Sequence, residues 1–168
     1  MTVHYSVFAS PLGDIWVGGD EAGISHINFP TQRAMERGPH RDHEKWQRDD
    51  GLFQEALHQL GAYFGGELTA FELELNPQGT EFQKNVWQAL LQVPFGEICS
   101  YSDIARGIGK PKAVRAVGAA NGRNPIPIVI PCHRVIGADG SLTGYGGGLW
   151  RKQRLIEIET GFRGRLMA

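Results

Sequence analysis

An α+β fold in two parts is what this sequence predicts: an N-terminal antiparallel sheet with one helix, then a C-terminal set of short helices. Three observations carry the prediction. Short apolar runs broken by turn residues fill the beginning of the chain, helical spacing and glycine-rich turns take over after Asn76-Pro77, and the charge divides at nearly the same place. Residues 1 to 80 hold five Lys and Arg against twelve Asp and Glu, a net of −7; residues 81 to 168 hold twelve against six, a net of +6. Two domains, 1–77 and 78–168, follow from these shifts.

In the first domain YSVFAS, DIWVGG and ISHINF, separated by Ser-Pro-Leu-Gly and Asp-Glu-Ala-Gly, predict three short strands. Residues 30 to 50 are polar, with Pro30, Gly38 and Pro39, and predict an exposed loop. Leu52, Phe53, Ala56, Leu57, Leu60 and Phe64 repeat with helical spacing until Gly65-Gly66, and FELEL at 71 to 75 alternates as a strand does.

The second domain opens on Thr80-Glu-Phe-Gln83, which has the spacing of a capping box, with Phe82, Val86, Leu90 and Leu91 as the buried stripe up to Pro94. A short helix is predicted near Ser102 to Ile108, a break at Gly109-Lys110, and another helix from Pro111 to about Ala120 with proline in its first turn. Two short helices about a glycine-containing break outline a helix-turn-helix. The second of them is thin, through Ala113, Ala116, Gly118, Ala119, Ala120 and Gly122, and basic, through Lys112, Arg115 and Arg123. Such a helix either presses its backbone onto a duplex or packs tightly on its neighbours.

Overall composition is that of an ordinary globular protein, 41% apolar and 21% charged, with no apolar run long enough to span a bilayer and no leader-like start. A cytoplasmic protein without a membrane partner is expected, and its two cysteines, Cys99 and Cys132, are expected as free thiols. The net charge of −1 argues against an indiscriminate nucleic-acid coat. The division along the chain points to a polyanion facing the C-terminal half alone, or to two surfaces solvated differently.

The chemistry concentrates after Asn124-Pro125, where IPIVIPCHRVIG predicts a buried apolar strand ending in Pro131, Cys132, His133 and Arg134. A thiol in such a place is ordinarily an inert core residue. The adjacent imidazole changes that, because a base that takes the thiol proton leaves a thiolate nucleophile. A histidine base needs an orienting group, and the amphipathic RKQRLIEIE at 151 to 159 supplies Glu159 or Glu157. Between them LTGYGGGLW carries glycines at 144, 146, 147 and 148 that let backbone N–H groups approach a substrate, in neither of the common nucleotide-binding patterns.

Taken together, GTEFQKNVW, SYSDIA, KAVRAVGAANGRNPIPIVIPCHRVIG, TGYGGG and RKQRLIEIETG closely resemble the O6-alkylguanine-DNA alkyltransferase family over residues 79 to 161. The Pro-Cys-His-Arg block with its upstream Asn-Pro is the most diagnostic part. The N-terminal half matches more loosely, chiefly through AYFGGELTAF. The resemblance implies a ribonuclease H-like first domain, a winged helix-turn-helix in the second, and direct, irreversible, single-turnover transfer of an alkyl group from guanine O6 to Cys132.

Carried over by residue, it implies that His133 takes the thiol proton through a water, that Glu159 holds the imidazole, and that Asn124 is a hinge between recognition helix and site. Tyr101 would push on the target phosphate and contact guanine N3, and Arg115 would fill the base stack when guanine is flipped out. Lys112, Ala116, Ala119, Asn121, Gly122 and Arg123 complete the expected DNA surface. Val135, Tyr145, Gly146 and Gly147 form the expected pocket, with carbonyls of Cys132 and Val135 accepting from the exocyclic amine and the Gly146 N–H reaching O6. Gly146 departs from members that have serine there, although a backbone donor survives the change.

The implied partner is double-stranded DNA containing O6-alkylguanine, bound by a monomer, with O4-alkylthymine and cooperative binding left open. No cofactor is expected. Zinc-binding members use N-terminal cysteines that this half lacks, and His40 and His43, set among charged neighbours, are expected to be solvated, so no metal is expected either.

Overall fold

The computed structural model describes residues 2–31 and 43–161, and the chain divides into two compact units, Met1–Gln78 and Gly79–Ala168. In the first, β1 (His4–Ser10), β2 (Gly13–Asp20) and β3 (Gly23–Asn28) form an antiparallel meander. Ile15, Val17 and Ile27 are fully buried beneath it, as alternation requires, and Tyr5 stacks on Trp16 across the strand pair with ring centroids 4.9 Å apart.

The sheet is mixed rather than purely antiparallel. Within the segment expected to be a loop, a 3₁₀ turn (His43–Lys45) leads into β4 (Gln47–Arg48), which pairs parallel to β1, giving the order β3-β2-β1-β4. A buried hydroxyl helps order this edge: Ser6 donates to Asp50 at 2.6 Å, and Arg48 Nε reaches the same carboxylate oxygen at 2.9 Å. Of the two histidines weighed as ligands, His40 lies outside the described residues.

Helix α1 (Gln54–Phe64) packs Ala56, Gln59, Leu60 and Tyr63 inward. Gln59 explains why FELEL is not a regular strand. Its amide accepts from Glu72 N at 2.9 Å and donates to Glu72 O at 3.1 Å, taking the backbone groups a sheet partner would need. Only a parallel bridge between Ile24 and Leu75 remains of the expected strand.

The second unit opens on α2 (Glu81–Leu90), whose capping box is complete: Gln83 N donates to Thr80 Oγ1 at 3.1 Å, and Thr80 N donates to Gln83 Oε1 at 3.0 Å. Thr80→Ala should lower unfolding stability by about 1 kcal/mol, read as a lower denaturant midpoint at unchanged slope. A shift confined to a few tenths would mean the cap is redundant.

A two-residue strand, β5 (Cys99–Ser100), precedes α3 (Tyr101–Gly107), again entered through a capping box, Ser100 with Asp103. The left-handed Gly109, at φ 73°, ends the turn after α3. Helix α4 spans Val114–Gly122, so Pro111 stands in the preceding turn and not in the helix's first turn as expected. Trp87 of α2 fastens α4 from beneath, its buried indole N–H donating to Ala120 O at 2.9 Å.

The apolar run from Ile126 to Pro131 is no strand. Ile126 N donates to Asn124 Oδ1 at 2.9 Å, and Asn124 Nδ2 donates to Ile130 O at 2.8 Å, so one side-chain amide closes the segment into a loop. Ile128 sits at φ 76°, a left-handed conformation strained for a β-branched residue, held because Ile126, Ile128 and Ile130 are all buried. The chain then makes a 3₁₀ turn (Cys132–Arg134), a second two-residue strand, β6 (Val135–Ile136), paired parallel with β5, and α5 (Leu149–Thr160). Among the described residues no helix is long and apolar enough to cross a membrane.

Candidate active site

The 3₁₀ turn turns Cys132, His133 and Arg134 inward, and all three are buried. His133 Nε2 lies 2.6 Å from Glu159 Oε2. The carboxylate can only accept there, so Nε2 carries the proton and Nδ1 keeps its lone pair. Nδ1 is buried and has no protein partner, which leaves it as the basic nitrogen of the site.

Glu159 is shared. Arg134 Nε donates to its Oε1 at 2.7 Å and Nη2 to its Oε2 at 3.1 Å, while Arg134 Nη1 donates to Val93 O at 2.6 Å. The two carboxylates left open by the sequence are thereby separated: Glu157 pairs instead with Arg154 at 3.0 Å and with Gln153 at 2.9 Å. Burial lowers the pKa of His133 and Glu159 raises it, with Arg134 and Lys152 also lowering it; the net shift is downward, favouring the neutral base.

Burial pushes the Cys132 thiol up, while the Asn124 side chain and the positive charge of Lys152 pull it down. Asn124 is therefore both the clamp of the preceding loop and a neighbour of the thiol. The Cys132 carbonyl, expected to accept from a substrate amine, already accepts from Val135 N–H and from Asn121 Nδ2 at 3.4 Å. Tyr145 is a buried phenol with no hydrogen-bond partner, held well above its usual pKa by burial and then by the Cys132 charge. Val135 is fully buried, Gly147 O accepts from Arg151 Nη1 at 2.7 Å, and Gly146 is exposed.

Tyr101, the first residue of α3, lies between α4 and the glycine loop: a Cβ on Gly118 would come within 3.9 Å of its ring, and one on Gly144 within 3.8 Å of its hydroxyl. The hydroxyl donates to Thr143 O at 3.2 Å and meets Thr143 Oγ1 at 3.0 Å. On α4 and its flanks Lys112, Arg115, Ala116, Ala119, Gly122 and Arg123 are exposed together. Asn121, expected among them, is corrected: it is buried behind the helix, where its amide finds the Cys132 carbonyl.

Sequence reasoning missed two site residues, Arg134 and Lys152. Lys152 is fully buried, with Nζ donating to Thr143 O at 2.6 Å and lying 5.9 Å from the centroid of the Tyr101 ring. Burial lowers its pKa to about 8. The signal was present in the spacing, because Lys152, Leu155, Ile156 and Glu159 form the inward i, i+3, i+4, i+7 stripe of α5. Among the described residues no three His, Cys, Asp or Glu side chains gather as a metal site requires.

Comparison with known proteins places both halves of the chain in one family. Residues 3–77 match the ribonuclease-like domain of 6-O-methylguanine DNA methyltransferase, and residues 81–161 match its DNA-binding domain. The methylated-DNA–protein-cysteine methyltransferase of Methanosarcina acetivorans is 50% identical over 157 residues, 94% of this chain and 98% of that one. The Mycobacterium tuberculosis protein of the same name is also 50% identical over 157 residues, covering 94% and 92%. The crystal structure of the M. tuberculosis O6-methylguanine methyltransferase superimposes with a TM-score of 0.87 at 47% identity, over 98% of this chain and 96% of that one. A structure of the M. tuberculosis protein in complex with DNA gives 0.85 at 47% identity, over 98% and 97%. With both halves matched, the chain belongs to the 6-O-methylguanine DNA methyltransferase family.

Proposed function

We propose that this protein repairs O6-alkylguanine in duplex DNA by moving the alkyl group onto Cys132, once per molecule. The observation that carries the reading is the buried Cys132 turn, in which His133 is anchored on Glu159 and its other nitrogen is left basic. The thiol proton passes to His133 Nδ1 through a water, and Glu159 stabilises the imidazolium. The sulfur attacks the alkyl carbon in line, the S–C bond forms as the C–O6 bond breaks, and the electron pair leaves on guanine. The Tyr101 hydroxyl, its one proton turned from Thr143 O to N3, and the Gly146 N–H at O6 stabilise the charge developing on the ring. A thioether offers no easier leaving group than itself, so turnover stops at one.

The target atom is hidden in the duplex and the nucleotide must be extruded, at a few kcal/mol of lost stacking and pairing. The exposed face of α4, small apart from its cations, supports close approach to the duplex, and Arg115 substitutes for the extruded base. Arg115→Ala should slow repair of a duplex by about tenfold or more while leaving reaction with free O6-benzylguanine nearly unchanged. Equal losses on both substrates, at an unaltered thermal midpoint, would rule out that role.

Intact-mass measurement after mixing with a duplex containing O6-methylguanine tests the whole reading. One methyl gained per protein, mapped to the Cys132 peptide and persisting, is expected. Many turnovers with no lasting adduct would instead indicate a Cys-His-Glu hydrolase.

A further inference from the structure

Among the described residues, three buried side-chain atoms around the reactive turn have no hydrogen-bond partner: His133 Nδ1, the Tyr145 hydroxyl and Asn121 Oδ1. The first has a use, as the base that takes the thiol proton. A phenol such as Tyr145 can serve as donor or acceptor, whereas an amide oxygen can only accept. Asn121 Oδ1 is therefore a buried acceptor waiting for an N–H or O–H, and no step described so far supplies one.

Cys132 fixes which way that amide points. Its carbonyl oxygen accepts from Val135 N–H and from Asn121 Nδ2 at 3.4 Å, so both of its lone pairs are engaged. A carbonyl cannot donate, so Nδ2 is the arm turned toward it and Oδ1 the arm left over. Asn121 is 2% exposed and shares the inward face of α4 with Val117 and Ala120. Gly118, three residues earlier and so its neighbour on the helix surface, faces Tyr101, with 3.9 Å between that ring and a Cβ placed on the glycine.

We propose that Asn121 Oδ1 accepts from the exocyclic amine of the extruded guanine, which makes Asn121 a specificity-determining residue for the transfer. The inference rests on the proposed function and adds the group that recognises the base. In guanine N3 and the amine nitrogen are bonded to one ring carbon, so the acceptor for the amine has to stand near the donor to N3. Asn121 meets that requirement, one helical step from the glycine that faces Tyr101. The Cys132 carbonyl, already holding two donors, yields the amine to the neighbouring Oδ1. A buried acceptor without a donor is unfavourable, and a base that brings it an N–H relieves the penalty on binding. O4-alkylthymine carries a carbonyl at the corresponding ring position and would set acceptor against acceptor, so it ranks below O6-alkylguanine.

The test is single-turnover methyl transfer from two duplexes alike except for the modified base, O6-methylguanine in one and O6-methylhypoxanthine, with hydrogen in place of the amine, in the other. Wild type, Asn121→Leu and Asn121→Ala are compared. Leucine has nearly the shape of asparagine without its acceptor. The ratio of the guanine rate to the hypoxanthine rate should shrink by about tenfold in Asn121→Leu, through loss on guanine, while the hypoxanthine rate stays close to that of wild type. The two bases differ in what their extrusion costs, but that difference is common to all three proteins and cancels in the change of ratio.

An unchanged ratio, whether or not both rates fall together, would overturn the assignment and return the amine to backbone acceptors. Should Asn121→Leu fail to fold, judged by its thermal midpoint, the alanine variant decides by the same ratio. Wild type that took no methyl onto Cys132 from either duplex would overturn the proposed function itself, an outcome distinct from a ratio that does not move.

Discussion

Cys132→Ala should abolish methyl transfer while leaving duplex binding nearly unchanged. The substitution removes one sulfur from a turn held by backbone groups: Cys132 N donates to Ile130 O at 2.8 Å, Arg134 N to Pro131 O at 3.0 Å, and Val135 N–H to the Cys132 carbonyl, none of which uses the side chain. The exposed cations of α4 are likewise untouched. Cys99 is not expected to take over, because no histidine stands beside it as His133 stands beside Cys132, and burial and the nearby Asp103 push its thiol up to about pKa 11. Transfer at wild-type rate by Cys132→Ala, with Cys99 labelled, would show that the wrong thiol has been assigned. Equilibrium binding to an undamaged duplex is the control.

The second large effect is expected at Glu159→Gln. The amide is nearly isosteric but neutral, so the Arg134 guanidinium is left buried without its counter-charge, and breaking a buried pair in this way costs about 3–5 kcal/mol. Transfer should fall by about 100-fold or more, because an amide can hold His133 in the wrong tautomer and cannot stabilise the imidazolium. Denaturant unfolding and single-turnover repair measure the two effects on one sample. A rate loss with no change in stability would mean that Arg134 finds another partner; unchanged values of both would remove Glu159 from the site.

Elements specified by local chemistry were legible in the sequence. The Thr80 capping box and the stripe of α2 are short-range signals that no tertiary contact overrides, and the three N-terminal strands are marked by their turns. The misread segments fail for one shared physical reason: a side-chain amide takes the backbone hydrogen bonds that a strand would have made. Gln59 does this to Glu72, and Asn124 does it to Ile126 and Ile130. Apolar content alone cannot separate a buried strand from a buried loop so held. β4 eluded the reading because two paired residues carry no periodicity.

At the site, Cys132, His133 and Glu159 were visible as an adjacent pair and a downstream carboxylate, and most of the α4 surface was visible as small residues with cations. Asn121 was misplaced because Gly122 and Arg123 after it are exposed, whereas helical rotation sets its side chain on the inward face with Val117 and Ala120. Arg134 and Lys152 were passed over because long cationic side chains are usually solvated. Their burial follows from partners that are distant along the chain, Val93 and Glu159 for the one, Thr143 for the other.

The smallest sheet in the molecule sets its working geometry. β5 ends at the residue before Tyr101, and β6 begins at the residue after Arg134, so four paired residues splice the phenol-bearing helix directly to the thiol-bearing turn. Helix α4 lies between these segments in sequence but takes no part in the splice. Under the proposed function, drift in the residues on its outer face retunes how the duplex is gripped without disturbing the spacing of the reactive groups. Grip and chemistry are separately evolvable in one short chain, and a designer could alter either while leaving the other as inherited.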